Sequence, residues 1–148
     1  MTYEISLVEL PEQDVAVVRG HVAVDGIGEF LGGAFGEIMG ALDGVEIVGP
    51  PFARYAMPDE GFDVMAGFPV SAPVTHVGRV EADRLPGGPA ATTMHVGSYE
   101  AVAAAFEAVQ GWVADHGFVV AGEPWESYLD GPEVPEPRTL VTFPVRPA

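Results

Sequence analysis

The chain has 148 residues, 48% of them hydrophobic, and a formal net charge of -16 from 22 acidic groups against six arginines and no lysine. A phosphate backbone or an anionic membrane needs a basic face, and six scattered arginines do not make one, which argues against direct nucleic-acid or membrane binding. The absence of cysteine excludes a disulfide framework, a thiol nucleophile and a sulfur metal site.

The first elements expected are short strands over 3–9 and 14–19, separated by Pro11. A helix is expected over 26–42, with Ile27, Phe30, Leu31, Ala34, Phe35, Ile38, Met39 and Leu42 on one face. Gly28, Gly32, Gly33 and Gly36 interrupt that pattern and weaken it, or else let another backbone approach closely. Strands are expected near 45–49, 52–57, 62–68 and 75–80, with a turn at Leu85-Pro86-Gly87-Gly88-Pro89 and another strand over 90–96. The second helix has Ser98 as a candidate N-cap, or starts one residue later, and ends at Gly117. Its apolar stripe is Val102, Ala105, Phe106, Val109, Trp112, Val113 and His116. Strands near 118–121, 124–129 and 139–145 follow, with an acidic, proline-rich loop over 130–137 as a surface segment or a pocket rim.

The order of elements repeats. Gly49-Pro50-Pro51-Phe52-Ala53-Arg54-Tyr55 is answered by Gly122-Glu123-Pro124-Trp125-Glu126-Ser127-Tyr128. Phe68-Pro69-Val70 is answered by Phe143-Pro144-Val145. One α+β domain over 1–148 is therefore expected, with repeats at about 3–71 and 74–146. The expected arrangement is pseudo-twofold: an extended antiparallel sheet with two helices on one side and a pocket at the seam. No apolar run is long enough to span a membrane, and the N-terminus lacks the basic region of a secretory signal, so cytoplasmic residence is expected.

The two copies differ chemically at one place, Ala53 against Glu126. Strand alternation puts Glu126 and Tyr128 on one face and Trp125 and Ser127 on the other. A carboxylate beside an aromatic ring can hold a cation, or act as an acid or base if desolvated; the plain alternative is a glutamate on an open, solvated face. Tyr55 and Tyr128 occupy equivalent places, either across the seam or as half-buried strand residues. Trp112 and Phe106 lie on the buried stripe of the second helix, where core packing is the first explanation. The four histidines lack carboxylates at metal-ligand spacing, Gly26-Ile27-Gly28 is no nucleotide fingerprint, and Ser98 has no nucleophile-elbow setting. No metal or cofactor is expected.

Taken in order, Gly49-Pro50-Pro51…Tyr55, Phe62-Asp63-Val64, Leu85-Pro86-Gly87-Gly88, His95-Val96-Gly97-Ser98-Tyr99, Trp112 and Glu126-Ser127-Tyr128-Leu129 resemble the GyrI-like small-molecule-binding family. This is the effector-binding domain of AraC-type and MerR-type multidrug regulators, with the SOUL/GyrI-like fold. The resemblance covers essentially the whole chain. It implies a central aromatic cleft, with Glu126 engaging a hydrophobic or cationic small molecule. Tyr55, Tyr128 and Trp112 are its implied companions, and Phe106, Tyr99 and Phe68 complete the expected lining. Some members imply a second activity, hydrolysis of cyclopropane-bearing alkylating agents. Glu126 would then activate water, and Tyr55 or Tyr128 would orient it or stabilise the oxyanion. A protein partner is a further implied role. Two departures stand out: Val22-Ala23-Val24-Asp25 lacks the tyrosine of Val96-Gly97-Ser98-Tyr99, and Asp130-Gly131-Pro132 is one residue longer than the family's Asp-Pro turn.

Overall fold

The computed structural model describes residues 3–56, 61–98, 101–131 and 133–148. Two helices and antiparallel strands make an α+β protein. The elements are β1 Ile5–Leu10, β2 Gln13–Val22, α1 Ile27–Ala41, β3 Phe52–Ala56, β4 Phe62–Pro69 and β5 Glu81–Leu85. They continue with β6 Gly88–Val96, α2 Ala103–Asp115, β7 Phe118–Val120, β8 Trp125–Tyr128 and β9 Arg138–Pro147. The chain forms two compact units, Glu12–Leu85, and Met1–Pro11 together with Pro86–Ala148.

In the Glu12–Leu85 unit the strands lie in the order β3-β4-β2-β5, all antiparallel. Val15 to Val18 are all buried, so both faces of β2 are covered, as its unbroken apolar run suits. Ala16 and Val18 of β2 and Ala66 and Phe68 of β4 share one face and pack against Ala34 and Ile38 of α1. Phe30, Leu31, Phe35 and Leu42 flank this cluster, at the three- and four-residue spacing that keeps them on one side of a helix. Gly20 makes room for that helix, because a Cβ there would meet the Phe30 ring at 2.5 Å.

In the other unit the order is β8-β9-β6-β1. β7 and β8 follow one another along β9, residues 118–120 opposing 147–145 and residues 125–128 opposing 142–139. Ala105, Val109 and Val113 of α2 pack on Ala91, Val141, Phe143 and Val145. Strand pairing departs from chain order in both units. β1 leads into β2 but pairs β6, whereas β5 leads into β6 but pairs β2.

Several local expectations are corrected. Residues 75–80 do not form a strand: Val77 and Val80 bond each other across a tight turn with Gly78 at φ 58°, and the strand begins at Glu81. The 45–49 strand is reduced to one bridge, Ile47 to Val70, beside two prolines that cannot donate. Ser98 does not cap α2, which begins at Ala103 with Val102 as N-cap and no side-chain cap bond. Met39 is 56% exposed rather than buried. His116 is exposed as well, its Nδ1 bonding the Trp112 carbonyl at 2.8 Å where the helix ends.

Candidate functional site

Residues directly opposite in an antiparallel pair project to the same face of the sheet. Glu126 lies opposite Val141 and Tyr128 opposite Thr139. Val141 packs against α2, so Glu126 and Tyr128 both occupy the helix-bearing face of their sheet. Trp125 and Ser127, opposite Thr142 and Leu140, occupy the reverse face. The alternation expected from the sequence is thus the one found.

Glu126 is only 8% exposed. The half-buried Tyr128 donates its phenolic hydrogen to Glu126 Oε1 at 2.5 Å, a length typical of a hydroxyl bound to a carboxylate. Burial strengthens the electrostatics of this carboxylate and makes it costly to leave uncompensated.

Beside it runs a polar row across three strands, His95 of β6, Thr139 of β9 and Tyr128 of β8. His95 is 1% exposed. Its Nε2 contacts the Ser98 carbonyl at 2.9 Å; a carbonyl only accepts, so Nε2 carries the hydrogen. In the neutral ring Nδ1 then accepts from the Tyr3 hydroxyl, also at 2.9 Å. His95 therefore ties β6 to the chain start and to the segment leading into α2, with neither nitrogen spare. Thr139 is fully buried, and its Oγ1 has no hydrogen-bond partner among the described residues.

The other expected site residues have these surroundings within their own units. Tyr55 lies on β3 in the Glu12–Leu85 unit, half-buried opposite Val64, with its ring edge-on to Phe62 at 6.2 Å. Phe68 is buried edge-on against Phe35 at 5.4 Å, in the α1 core. Phe106 meets Phe143 at 5.5 Å, beneath α2. Trp112 stacks on His116 at 4.2 Å and on Phe118 at 6.2 Å. Phe118 opposes Pro147, six residues along β9 from Val141, a span of about 20 Å. Trp112, Phe106 and Phe68 are thus engaged in packing, while Glu126 and Tyr128 are in direct contact. Tyr99 lies outside the described residues.

The turn after β8 is anchored ionically. Arg138 donates to Asp130 Oδ2 through Nε at 2.8 Å and through its backbone N–H at 3.1 Å. The Arg138 side-chain hydrogen bond, its backbone N–H and its charge hold the Asp130 carboxyl below its ordinary pKa. A depressed carboxylate pKa contributes stability above the unfolded value, about 3.9, and loses it as pH falls through the folded value. Asp130→Asn is expected to lower the melting temperature at pH 7, with the gap to wild type closing below about pH 4. Thermal unfolding from pH 7 to pH 2 measures this, and a gap that persists unchanged to pH 2 excludes the ion pair as its cause.

Comparison with known proteins shows what the chain is similar to. A family model for the GyrI-like small molecule binding domain matches residues 3–146. The C-terminal domain of EcmrR is similar at 26% identity over 100% of both chains, with a TM-score of 0.87. In a complex of EcmrR with DNA the likeness covers 99% of this chain and 58% of that one, with 26% identity and a TM-score of 0.81. A hydrolase from Listeria innocua shares the fold at 15% identity, 97% and 92% coverage and a TM-score of 0.72. SAV2435, solved with tetraphenylphosphonium, shares it at 12% identity, 99% and 94% coverage and a TM-score of 0.62. A search of curated proteins found no match.

Proposed function

Because the chain belongs to the GyrI-like small molecule binding domain family, we propose that its ligand is a small lipophilic, aromatic cation and that Glu126 recognises the charge. The observation carrying this reading is the buried Glu126 carboxylate, held at 2.5 Å by a phenol on the face that bears α2. A cation brought to that carboxylate is attracted by its charge, and the Tyr128 ring adds attraction through its π-face. The net charge of -16 draws cations toward the protein and repels anions. SAV2435, of the same fold, holds a lipophilic cation, which supports this class of ligand without identifying the natural one. The role that suits such a domain is sensing or sequestering the compound. The Listeria innocua hydrolase shares only the fold, so its name transfers no chemistry.

Calorimetric titration of the wild-type protein with tetraphenylphosphonium and with neutral triphenylphosphine oxide tests the reading. The cation is expected to bind about tenfold more tightly, equivalent to about 1.4 kcal/mol, and to be recovered unchanged. Equal affinities overturn the charge reading, and a covalently altered ligand replaces binding with catalysis.

A further inference from the structure

Resting on the cation-site reading above, we infer that the Thr139 hydroxyl is a second polar anchor of the same site, selecting ammonium ligands with two or more N–H groups over quaternary cations. Thr139 lies directly opposite Tyr128, on the same face and two register positions along the ladder from Glu126. Neighbouring positions of this kind bring side chains within reach of one small group.

The polar groups around this hydroxyl are already engaged. Both His95 nitrogens are used, by Tyr3 and by the Ser98 carbonyl. The Tyr128 hydroxyl is spent on Glu126. Thr93, on the next strand, gives its hydroxyl to the Glu4 carbonyl at 2.7 Å. Thr139 alone of these buried groups has Oγ1 without a partner among the described residues. A buried hydroxyl with no partner is destabilising, and valine fills the same volume without that cost.

A guest removes the deficit. A primary or secondary ammonium donates one hydrogen to the Glu126 carboxylate and a second to Thr139 Oγ1. A quaternary ammonium or phosphonium has no N–H to donate, so it satisfies the carboxylate by charge alone and leaves the hydroxyl orphaned.

The test uses biphenylmethylammonium and its N,N,N-trimethyl counterpart, titrated into wild type, Thr139→Val, Thr139→Ser and Glu126→Gln. Wild type is expected to favour the primary ammonium about tenfold, the scale of one buried hydrogen bond. Thr139→Val is expected to abolish that preference by weakening the primary ammonium alone, and Thr139→Ser to keep it. The ligand-free Thr139→Val protein is expected to melt about 2–4 °C higher, because an orphaned hydroxyl is gone. A purely structural threonine would move the melting temperature without moving the selectivity. If Thr139→Val leaves the ratio unchanged while Glu126→Gln weakens both cations, the Thr139 role is overturned and the cation site stands. If Glu126→Gln weakens neither, the cation site itself falls. Should Thr139→Val not fold, Thr139→Ala supplies the same comparison.

Discussion

Glu126→Gln is expected to weaken tetraphenylphosphonium binding by about 10- to 100-fold, while triphenylphosphine oxide changes by less than about twofold. The substitution keeps side-chain size and leaves a carbonyl oxygen that can still accept from Tyr128, so the local geometry survives. What disappears is the charge. A unit charge at about 4 Å in a partly buried setting interacts with a cation by a few kcal/mol, and desolvation cancels part of it. The surplus corresponds to about 1.4–2.8 kcal/mol, which is the fold-change stated. Thermal melting of the free variant is measured alongside, and the variant is expected to remain folded at the titration temperature. That combination, a stable protein with a selective binding loss, separates recognition from folding. Matched losses for cation and neutral ligand would remove Glu126 from charge recognition.

Replacing Gly32, Gly33 and Gly36 together with alanine is expected to stabilise the protein by about 2–3 kcal/mol, raising its melting temperature by about 5–10 °C. All three lie within α1 and are exposed. A Cβ built at any of them meets nothing within 4 Å. The close backbone approach that the glycines would permit is therefore not used among the described residues. Alanine there limits the freedom of the unfolded chain without a clash in the folded one. Denaturant titration and calorimetry measure the gain. A neutral or destabilising result would show that α1 draws on those glycines in a way its free surface does not reveal.

The sequence by itself determined what local periodicity can carry. The three- and four-residue spacing of Ala105, Phe106, Val109, Trp112 and Val113 defines the inward face of α2, because a helix brings those positions together whatever lies beneath. The two-residue period of β8 places Glu126 and Tyr128 on one face before any partner strand is known. Pattern was weaker where one turn or a proline pair decides the geometry. Residues 75–80 have strand-forming composition, yet Gly78 turns the chain there and moves the strand to 81–85.

Other features depend on pairing between residues far apart in sequence, and these only the tertiary structure decided. The pairing of β1 with β6 and of β5 with β2 is invisible to a repeat read in chain order, because a strand carries no local mark of which distant edge it will join. The same reason hid the polar row. His95 meets Tyr3 across 92 residues, and Thr139 stands between His95 and Tyr128 only because β9 pairs β6 and β8 in that register. Whether Glu126 is buried or solvated, left open by alternation, is decided by what the folded chain brings against that face, which leaves it 8% exposed. Side-chain direction is a local property of the backbone, whereas burial and the satisfaction of a polar group depend on what the rest of the chain brings against it.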